Sequence, residues 1–263
     1  MSISYQVPKS TIQLPSEGIL YPENSSLSNG SIEIHHMTAR EEDILSSSNL
    51  LKQGRALDEL LLSCIESLNV DPLEILTCDR NALFVAIRIS GFGQNYPIQI
   101  QCPQCNKFQT HIVDLSSLNA KTCSELGTIP LQPHHNLFEY KLPNTGLVIK
   151  FKLMNGRDEQ TITQYQEKVQ QVESSKNNLV ISNEKEITLR MKQMIVSIND
   201  ETSRNVISDA INTLPAMDSR SFRKHVESIE PGLVMKTLFT CKYCSNEEVV
   251  DIPISTDFFW PPL

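Results

Sequence analysis

Two copies of a Cys-x-x-Cys motif constrain this chain more than any other feature of its sequence. The first is Cys102-Pro103-Gln104-Cys105 and the second is Cys241-Lys242-Tyr243-Cys244. Strand-like residues flank both motifs, and each motif is followed by an apolar pair, an aspartate and another apolar residue. Such a turn brings two thiolates to one point, and two turns supply the four tetrahedral ligands that structural zinc prefers. We therefore predict one zinc ion with four ligands: Cys102, Cys105, Cys241 and Cys244.

The distance between the motifs predicts a split site. Cys105 and Cys241 are 136 positions apart, much farther than in a compact zinc ribbon. Closing a loop of this length costs several kcal/mol of chain entropy, which a bound metal offsets. Two alternatives stay open, a redox-active cysteine pair and cysteines that bind no metal. A thioredoxin-like pair opens a helix after a strand, whereas strand-like residues follow both motifs here.

The charge and the remaining motifs exclude several classes of protein. The 263 residues include 23 basic and 31 acidic side chains, a net charge of −8, which argues against nucleic acid or an anionic membrane as partner. No apolar run approaches the roughly 18 residues of a membrane span, and we expect no signal peptide. Folding in a reducing cytosol would leave no disulfide framework. The sequence also lacks the common phosphate-binding, nucleophile and metalloprotease motifs, so we expect no enzyme and no small-molecule substrate.

The N-terminal part of the chain divides into two predicted segments. Residues 1–36 form an extended arm, rich in Pro, Ser and Gly, that we expect to need a neighbouring subunit to become ordered. Residues 37–95 form a helical block. It begins at a capping box between Thr38 and Glu41, and Asp79 is predicted to open a further helix.

The remainder contains the cysteine motifs and a long insertion between them. Residues 96–129 and 233–263 form the split zinc-ribbon module, and residues 130–232 form the insertion, a β-hairpin followed by helices. The helices are predicted over residues 158–173, 184–198, 203–214 and 219–229, the last of them capped by Asp218. The predicted fold class is therefore α+β, with a helical N-terminal block, a split zinc-ribbon-like β module and an inserted hairpin and helical region.

A series of short motifs occurs in a fixed order along almost the whole chain. The motifs are Leu14-Pro15-Ser16-Glu17-Gly18-Ile19-Leu20-Tyr21-Pro22, Met37-Thr38-Ala39-Arg40-Glu41-Glu42-Asp43-Ile44-Leu45, Asp79-Arg80-Asn81-Ala82-Leu83, Arg88-Ile89-Ser90-Gly91-Phe92-Gly93, Leu142-Pro143-Asn144-Thr145-Gly146, Gly156-Arg157-Asp158-Glu159, the two cysteine motifs and Phe258-Phe259-Trp260-Pro261. In this order the chain resembles the baseplate hub subunits and hub assembly proteins of contractile-tailed phages of the T-even type.

The resemblance implies a virion or tail-assembly component without known catalysis. Many members of that family look zinc-bearing, while others lack one or both cysteine pairs. We accordingly expect a hub-region subunit that binds other baseplate and tail proteins, located in the virion tail baseplate and assembled in the host cytoplasm. Two alternatives of other classes are a thiol-disulfide oxidoreductase and a zinc-ribbon nucleic-acid adaptor.

The aromatic end of the chain is a second candidate site. Phe258, Phe259 and Trp260, the only tryptophan, precede two prolines that prevent a helix from closing. Exposed aromatic residues are common anchors in protein interfaces, so we predict that these three residues bind a partner. The alternative is that they cover the protein's own core.

Overall fold

A computed structural model describes residues 6–66, 70–175 and 186–260, with side chains for all of these except residues 170–175. Outside this description lie residues 1–5 of the predicted arm, 67–69 of the predicted helical block, 176–185 of the predicted insertion and 261–263 at the aromatic end. Residues 184 and 185, where the second predicted helix of the insertion begins, are among them. Among the described residues, no helix combines the length and apolar character needed to span a membrane.

The fold is α+β, as predicted. The helices are α1 (Ala39–Ser46), α2 (Ser48–Lys52), α3 (Ala56–Cys64), α4 (Thr77–Phe92), α5 (Cys123–Leu126), α6 (Gly156–Ser175), α7 (Glu186–Met194), α8 (Arg204–Asn212) and α9 (Ala216–Ile229). The strands are β1 (Lys9–Gln13), β2 (Ser31–His35), β3 (Asn95–Gln101), β4 (Phe108–Asp114), β5 (Ala120–Lys121), β6 (Phe138–Lys141), β7 (Val148–Phe151), β8 (Ile195–Ile198), β9 (Gly232–Leu233), β10 (Lys236–Thr240) and β11 (Glu247–Asp251).

The strands form small antiparallel sheets rather than one large sheet. In the described part of the chain, β1 pairs with β2, β3 with β4, β10 with β11 and β5 with β9, and β6, β7 and β8 form a three-stranded sheet. The β5–β9 ladder brings the chain before the predicted insertion next to the end of that insertion, because Ala120 pairs with Leu233 and Lys121 with Gly232. The segment between these strands therefore begins and ends at adjacent points.

The predicted capping box at the start of α1 is confirmed. The backbone N–H of Thr38 donates to Glu41 Oε2 at 2.8 Å, and the Thr38 hydroxyl accepts from the N–H of Arg40 at 3.3 Å. Glu41 is buried, and its other carboxylate oxygen accepts a 2.6 Å hydrogen bond from the hydroxyl of Ser63 on α3. The cap thus also fixes α1 against α3.

The N-terminal arm packs on the chain's own core, so the prediction that it needs a neighbouring subunit for its apolar residues is wrong. Leu14, Leu20 and Tyr21 are at most 5% exposed. The backbone N–H of Ser16 donates to Asp79 Oδ1 at 3.0 Å, and the Tyr21 hydroxyl donates to Oδ2 at 2.6 Å. Asp79 does not open its helix, because α4 begins two residues earlier. Its carboxylate holds the arm instead.

Two predictions about the insertion are corrected in the same way. Residues 195–198 were predicted as the end of a helix, but they form β8, in which Ile198 pairs with Ile149 of β7. Asp218 does not cap α9, which begins at Ala216. Its carboxylate accepts hydrogen bonds from the backbone N–H groups of Asn144 at 2.8 Å and Thr145 at 2.9 Å. These two N–H groups of the turn between β6 and β7 thereby gain a hydrogen-bond partner.

One main hydrophobic core connects the arm, the N-terminal helices, the insertion and the C-terminal end. Its largest fully buried side chains include Phe151, Phe222, Phe258 and Phe259. A second, small cluster consists of Cys102, Phe239 and Cys241, with partly buried neighbours that include the other two cysteines of the motifs. The cysteine site therefore has an apolar support of its own.

Candidate metal centre

The first cysteine motif lies in the turn that joins β3 to β4. The backbone N–H of Cys102 donates to the carbonyl of Lys107 at 3.0 Å, and the N–H of Asn106 donates to the carbonyl of Cys102 at 2.8 Å. Asn106 has a φ of 56°, in the left-handed region that asparagine tolerates better than most residues. This residue turns the chain back into β4.

The second motif repeats this geometry between β10 and β11. The N–H of Cys241 donates to the carbonyl of Asn246 at 2.8 Å, and the N–H of Ser245 donates to the carbonyl of Cys241 at 2.9 Å. Ser245 has a φ of 57°, almost the same as Asn106. The two motifs are therefore two copies of one turn, which we call the knuckles, and residues 102–107 and 241–246 define them.

The two knuckles meet and bring their four sulfur atoms together. The Sγ atoms of Cys102 and Cys244 are 3.6 Å apart, and those of Cys105 and Cys241 are 3.7 Å apart. All four sulfur atoms lie within 4.8 Å of one another. Four ligands at the zinc–sulfur distance of about 2.3 Å in a tetrahedron are separated by about 3.8 Å. The four thiols could therefore hold a metal ion, and their spacing fits the tetrahedral set that zinc prefers.

Side chains of β4 fasten the first knuckle hairpin to the second. Gln109 Nε2 donates to the carbonyl of Thr240 at 3.1 Å, and Gln109 Oε1 accepts the N–H of Lys242 at 2.9 Å. The ring of His111 packs edge-on against buried Phe239, with 5.9 Å between ring centroids. Its Nε2 lies 3.3 Å from the hydroxyl of Thr237. The four sulfur atoms thus stand at one end of two hairpins that already contact each other.

The role of Gln109 is not visible in the sequence, because a polar residue in an alternating strand resembles any solvated position. His111 lies six positions after the first motif, and its contact with Thr237 places it in the interface between the hairpins. Arg88 was also unassigned, although it lies within one of the family-like motifs. It is fully buried, and its Nε donates to the carbonyl of Phe258 at 2.9 Å.

The polar environment of the sulfur atoms favours a thiolate at Cys241. Burial raises the pKa of this thiol, but hydrogen bonds from the backbone N–H groups of Tyr243 and Cys244 and from the neighbouring thiols of Cys244 and Cys102 together lower the pKa to about 6. At Cys244 the N–H of Asn246 lowers the pKa, but burial and hydrogen bonds shared with the neighbouring thiols raise it to about 12. Of these two cysteines, Cys241 is therefore the one at which the thiolate is favoured.

The other three cysteines lie outside this cluster. Cys64, Cys78 and Cys123 are buried in the main core. Burial raises the pKa of Cys64 and of Cys123 to about 12, and it raises the pKa of Cys78 as well. Thiols that remain protonated in an apolar core neither bind metals nor act as nucleophiles, so these cysteines are packing residues.

The aromatic end contributes one exposed ring and two buried ones. Phe258 and Phe259 are fully buried, and they pack edge-on against Tyr96 and Phe84, with 4.9 Å and 6.0 Å between ring centroids. Trp260 is 40% exposed. The alternative that the end of the chain covers its own core thus describes the two phenylalanines, whereas Trp260 remains partly exposed.

The arrangement suits a structural metal site better than a redox pair. Both motifs lie in turns between strands, whereas a thioredoxin-like pair begins a helix. Of the four motif cysteines, the two buried ones are Cys102 and Cys241, and they belong to different knuckles. A metal at this position would therefore join hairpins from distant parts of the chain. Such a site stabilises a fold and needs no open coordination position.

The chain matches the model of a family described as T4 bacteriophage base plate protein. The match covers residues 11–260, which include most of the arm, both knuckles and Trp260. The searches of curated proteins and of solved structures each returned no match.

Proposed function

The chain belongs to the T4 bacteriophage base plate protein family, and from this membership we propose that it is a structural or assembly subunit of the baseplate hub. The family is one of structural phage proteins rather than enzymes. Membership implies contacts with other phage structural proteins and a place in the virion tail. The assignment to the hub is supported by the order of the short motifs from Leu14 to Trp260, and assembly would take place in the host cytoplasm.

The second part of the proposal is that the subunit contains a structural zinc ion held by Cys102, Cys105, Cys241 and Cys244. The observation that carries it is the convergence of four sulfur atoms within 4.8 Å from two turns of the same geometry. A bound zinc ion would replace the shared thiol hydrogen bonds by four metal–sulfur bonds. It would thereby clip the β3–β4 hairpin to the β10–β11 hairpin.

The proposed zinc site would hold two distant segments of the chain together, and it is therefore the physical basis of the division of the chain that we propose. In this division residues 96–129 and 233–263 act as one split module, residues 130–232 are inserted into it, and residues 1–36 and 37–95 form the arm and the helical block. The β5–β9 ladder supports it, because it closes the insertion beside the module. A hydrogen bond of 2.6 Å from the Thr128 hydroxyl to the carbonyl of Ile229 closes the same junction.

The zinc proposal is tested by elemental analysis of protein purified under reducing conditions. We expect one zinc ion per chain, and less than one tenth of that in the Cys102→Ser/Cys241→Ser variant. The Cys64→Ser variant is the control, since Cys64 lies in the main core, and it should keep its zinc. Wild-type protein that is folded but contains no zinc would overturn this part of the proposal.

The hub assignment is tested on purified tails. Mass spectrometry of virions shows whether the protein is a permanent component, and electron microscopy of tails that carry a tagged copy shows where it lies. We expect a tagged density on the central axis of the baseplate, or, for an assembly factor, a protein that is present in hub intermediates and absent from virions. A location at the baseplate periphery would overturn the hub assignment and leave family membership intact.

A further inference from the structure

The charge of the knuckles differs from that of the whole chain. The chain carries a net charge of −8, yet the β3–β4 hairpin contains no Asp or Glu from Asn95 to Val113. The two knuckles, residues 102–107 and 241–246, also lack acidic residues, while they contain Lys107 and Lys242. The two knuckles themselves therefore carry only positive side-chain charge on an acidic protein, although Glu247 and Glu248 follow the second knuckle directly.

Contacts across the two knuckles fix the position of these residues. The Nζ atom of Lys107 lies 4.4 Å from the centroid of the Tyr243 ring, within the range of a cation–π contact. The N–H of Lys242 is held by Gln109 Oε1 at 2.9 Å. Lys107, Lys242 and Tyr243, which we call the knuckle tip, thus form one surface from residues more than 130 positions apart.

The knuckle tip is open and its charges are not used within the described part of the chain. The Tyr243 side chain is 59% exposed, and both lysines are exposed. No carboxylate of the described residues forms an ion pair with either lysine. An exposed tyrosine held under a lysine loses little conformational entropy when it is buried by a partner, which suits an anchor residue.

We propose that the knuckle tip docks on an acidic surface of a neighbouring baseplate protein, with the Tyr243 ring in an apolar pocket and Lys107 and Lys242 against carboxylates at its rim. Charge complementarity selects this partner, because the two lysines are attracted to an acidic surface that the rest of this acidic chain would repel. The inference rests on the proposed function in one respect: the tip is complete only when the two knuckles are joined.

Nucleic acid is the weaker candidate for the same surface. A phosphate backbone is bound by an extended basic footprint, and the tip offers two lysines on a chain of charge −8. A second copy of this chain would also present acidic surface, but the family places the protein among other phage structural proteins. Both occupants are outcomes that the experiment can detect.

The first test measures incorporation into baseplates completed in vitro from an infected extract that lacks this protein. The Lys107→Gln/Lys242→Gln variant should be incorporated about tenfold more slowly than wild type at low salt, because rim charges act mainly on association rates. The difference should shrink as salt is raised. The control is Lys52→Gln/Lys224→Gln, which removes two exposed lysines elsewhere and the same net charge. Equal rates for both double variants would overturn the proposal.

The second test identifies the occupant directly. Tyr243 is replaced by the photo-crosslinking residue p-benzoylphenylalanine, and the cross-linked peptides from completed baseplates are sequenced. We expect cross-links to an Asp- and Glu-rich segment of one baseplate protein, and not from the same residue placed at Ile129, which is 83% exposed. Cross-links to DNA, to a second copy of this chain, or to nothing in baseplates that contain the variant would each overturn the proposal.

Zinc content separates failure of this inference from failure of the proposed function. The lysine variants should contain the same zinc as wild type, since neither lysine is a ligand. Normal zinc with unchanged incorporation would overturn the docking role and leave the clip standing. Wild-type protein without zinc that still cross-links at residue 243 would overturn the clip and leave the docking role standing.

Discussion

The hydroxyl group of Tyr21 donates a 2.6 Å hydrogen bond to Asp79 Oδ2 and accepts a 2.9 Å hydrogen bond from the backbone N–H of Leu76. A single oxygen atom of the N-terminal arm therefore satisfies two buried polar groups at the start of α4. Burial raises the pKa of Asp79, and the hydrogen bonds from Ser16 and Tyr21 oppose this effect. The arm is part of the core, held by a polar contact between residues 58 positions apart.

Removal of the Tyr21 hydroxyl should destabilise the protein more than the loss of one hydrogen bond suggests. Tyr21→Phe leaves the N–H of Leu76 and one oxygen of Asp79 buried without this partner, so we expect the free energy of unfolding to fall by about 2 kcal/mol. Urea denaturation measures the change. The matched control is Tyr243→Phe, which removes a hydroxyl from an exposed side chain, and an equal effect of the two variants would contradict the role of the buried network.

The sequence predicted the features that depend on residues close together in the chain. The capping box between Thr38 and Glu41 spans one helical turn, so the residue types and their spacing determine the hydrogen bonds. The cysteine motifs belong to the same class, because the geometry of each turn is local. Their pairing across 136 positions was inferred only because metal chemistry requires four ligands.

Features that depend on distant residues were missed or assigned to the wrong role. Asp79 and Asp218 both stand near helix starts, where an acidic residue is usually interpreted as a local cap. Each carboxylate instead binds the backbone of a segment more than 60 positions away. Residues 195–198 are a short apolar run whose periodicity does not separate helix from strand. They form β8 because they pair with the edge of β7, a partner 44 or more positions earlier in the chain that local periodicity cannot reveal.

Loss of the clip should destabilise the fold as the loss of a cross-link does. Cys102→Ser removes one of the four proposed ligands, and without a metal the two hairpins depend on Phe239 and a few hydrogen bonds. We expect the free energy of unfolding to fall by about 3–5 kcal/mol, similar to opening a covalent loop of this length. Calorimetry with and without a zinc chelator measures it. Chelator should lower the melting temperature of wild type but leave that of Cys102→Ser unchanged; a further drop in the variant would argue against this explanation.

Alkylation should divide the seven cysteines into two groups. In native protein at pH 7 we expect Cys64, Cys78 and Cys123 to resist iodoacetamide, because burial raises the pKa of each and limits access. The four motif cysteines should be protected by zinc and become reactive when a chelator is added. Mass spectrometry counts the modified residues, with urea-unfolded protein as the control in which all seven react. Labelling of Cys64 or Cys123 in the folded protein would contradict the assignment.

Stability should depend on pH through Glu230, which follows α9. Burial raises the pKa of this carboxyl from 4.5 to about 7, although nearby Arg190 lowers it. Between these values the folded protein binds more protons than the unfolded chain, so the contribution of Glu230 to stability is present below about pH 4.5 and is lost as the pH rises towards 7. Glu230→Gln should therefore be more stable than wild type at pH 8, by about 1–3 kcal/mol for this half-buried side chain, and similar to it at pH 4.5.

Urea denaturation at the two pH values checks this prediction. Glu23→Gln is the matched control, since Glu23 is exposed and is not among the groups that shift the pKa of Glu230, and its substitution should have the same small effect at both pH values. A stabilisation by Glu230→Gln that does not change with pH would show that the gain comes from packing and not from titration.

Substitutions at two neighbouring residues of the aromatic end should have different effects, one on stability and the other on assembly. Phe259→Ala removes a fully buried ring and should lower the free energy of unfolding by about 3–5 kcal/mol. Trp260→Ala changes a partly exposed residue and should cost about 1 kcal/mol or less, yet it should reduce incorporation into baseplates if this ring contacts a partner. Melting and incorporation are measured on the same preparations. Normal incorporation of the Trp260→Ala variant would show that this residue is not part of the interface.

The split position of the knuckles also places a condition on synthesis of the protein. Cys102 and Cys105 leave the ribosome 136 residues before Cys241, which at 5–20 residues per second corresponds to roughly 7–27 s. During this time the first hairpin exposes two thiols and one face of β4 without its partner. A chain that stops anywhere before Cys244 never assembles the four-sulfur cluster. Closure of the proposed clip thus reports that translation has passed Cys244, and a chain truncated before that residue cannot present the joined knuckles.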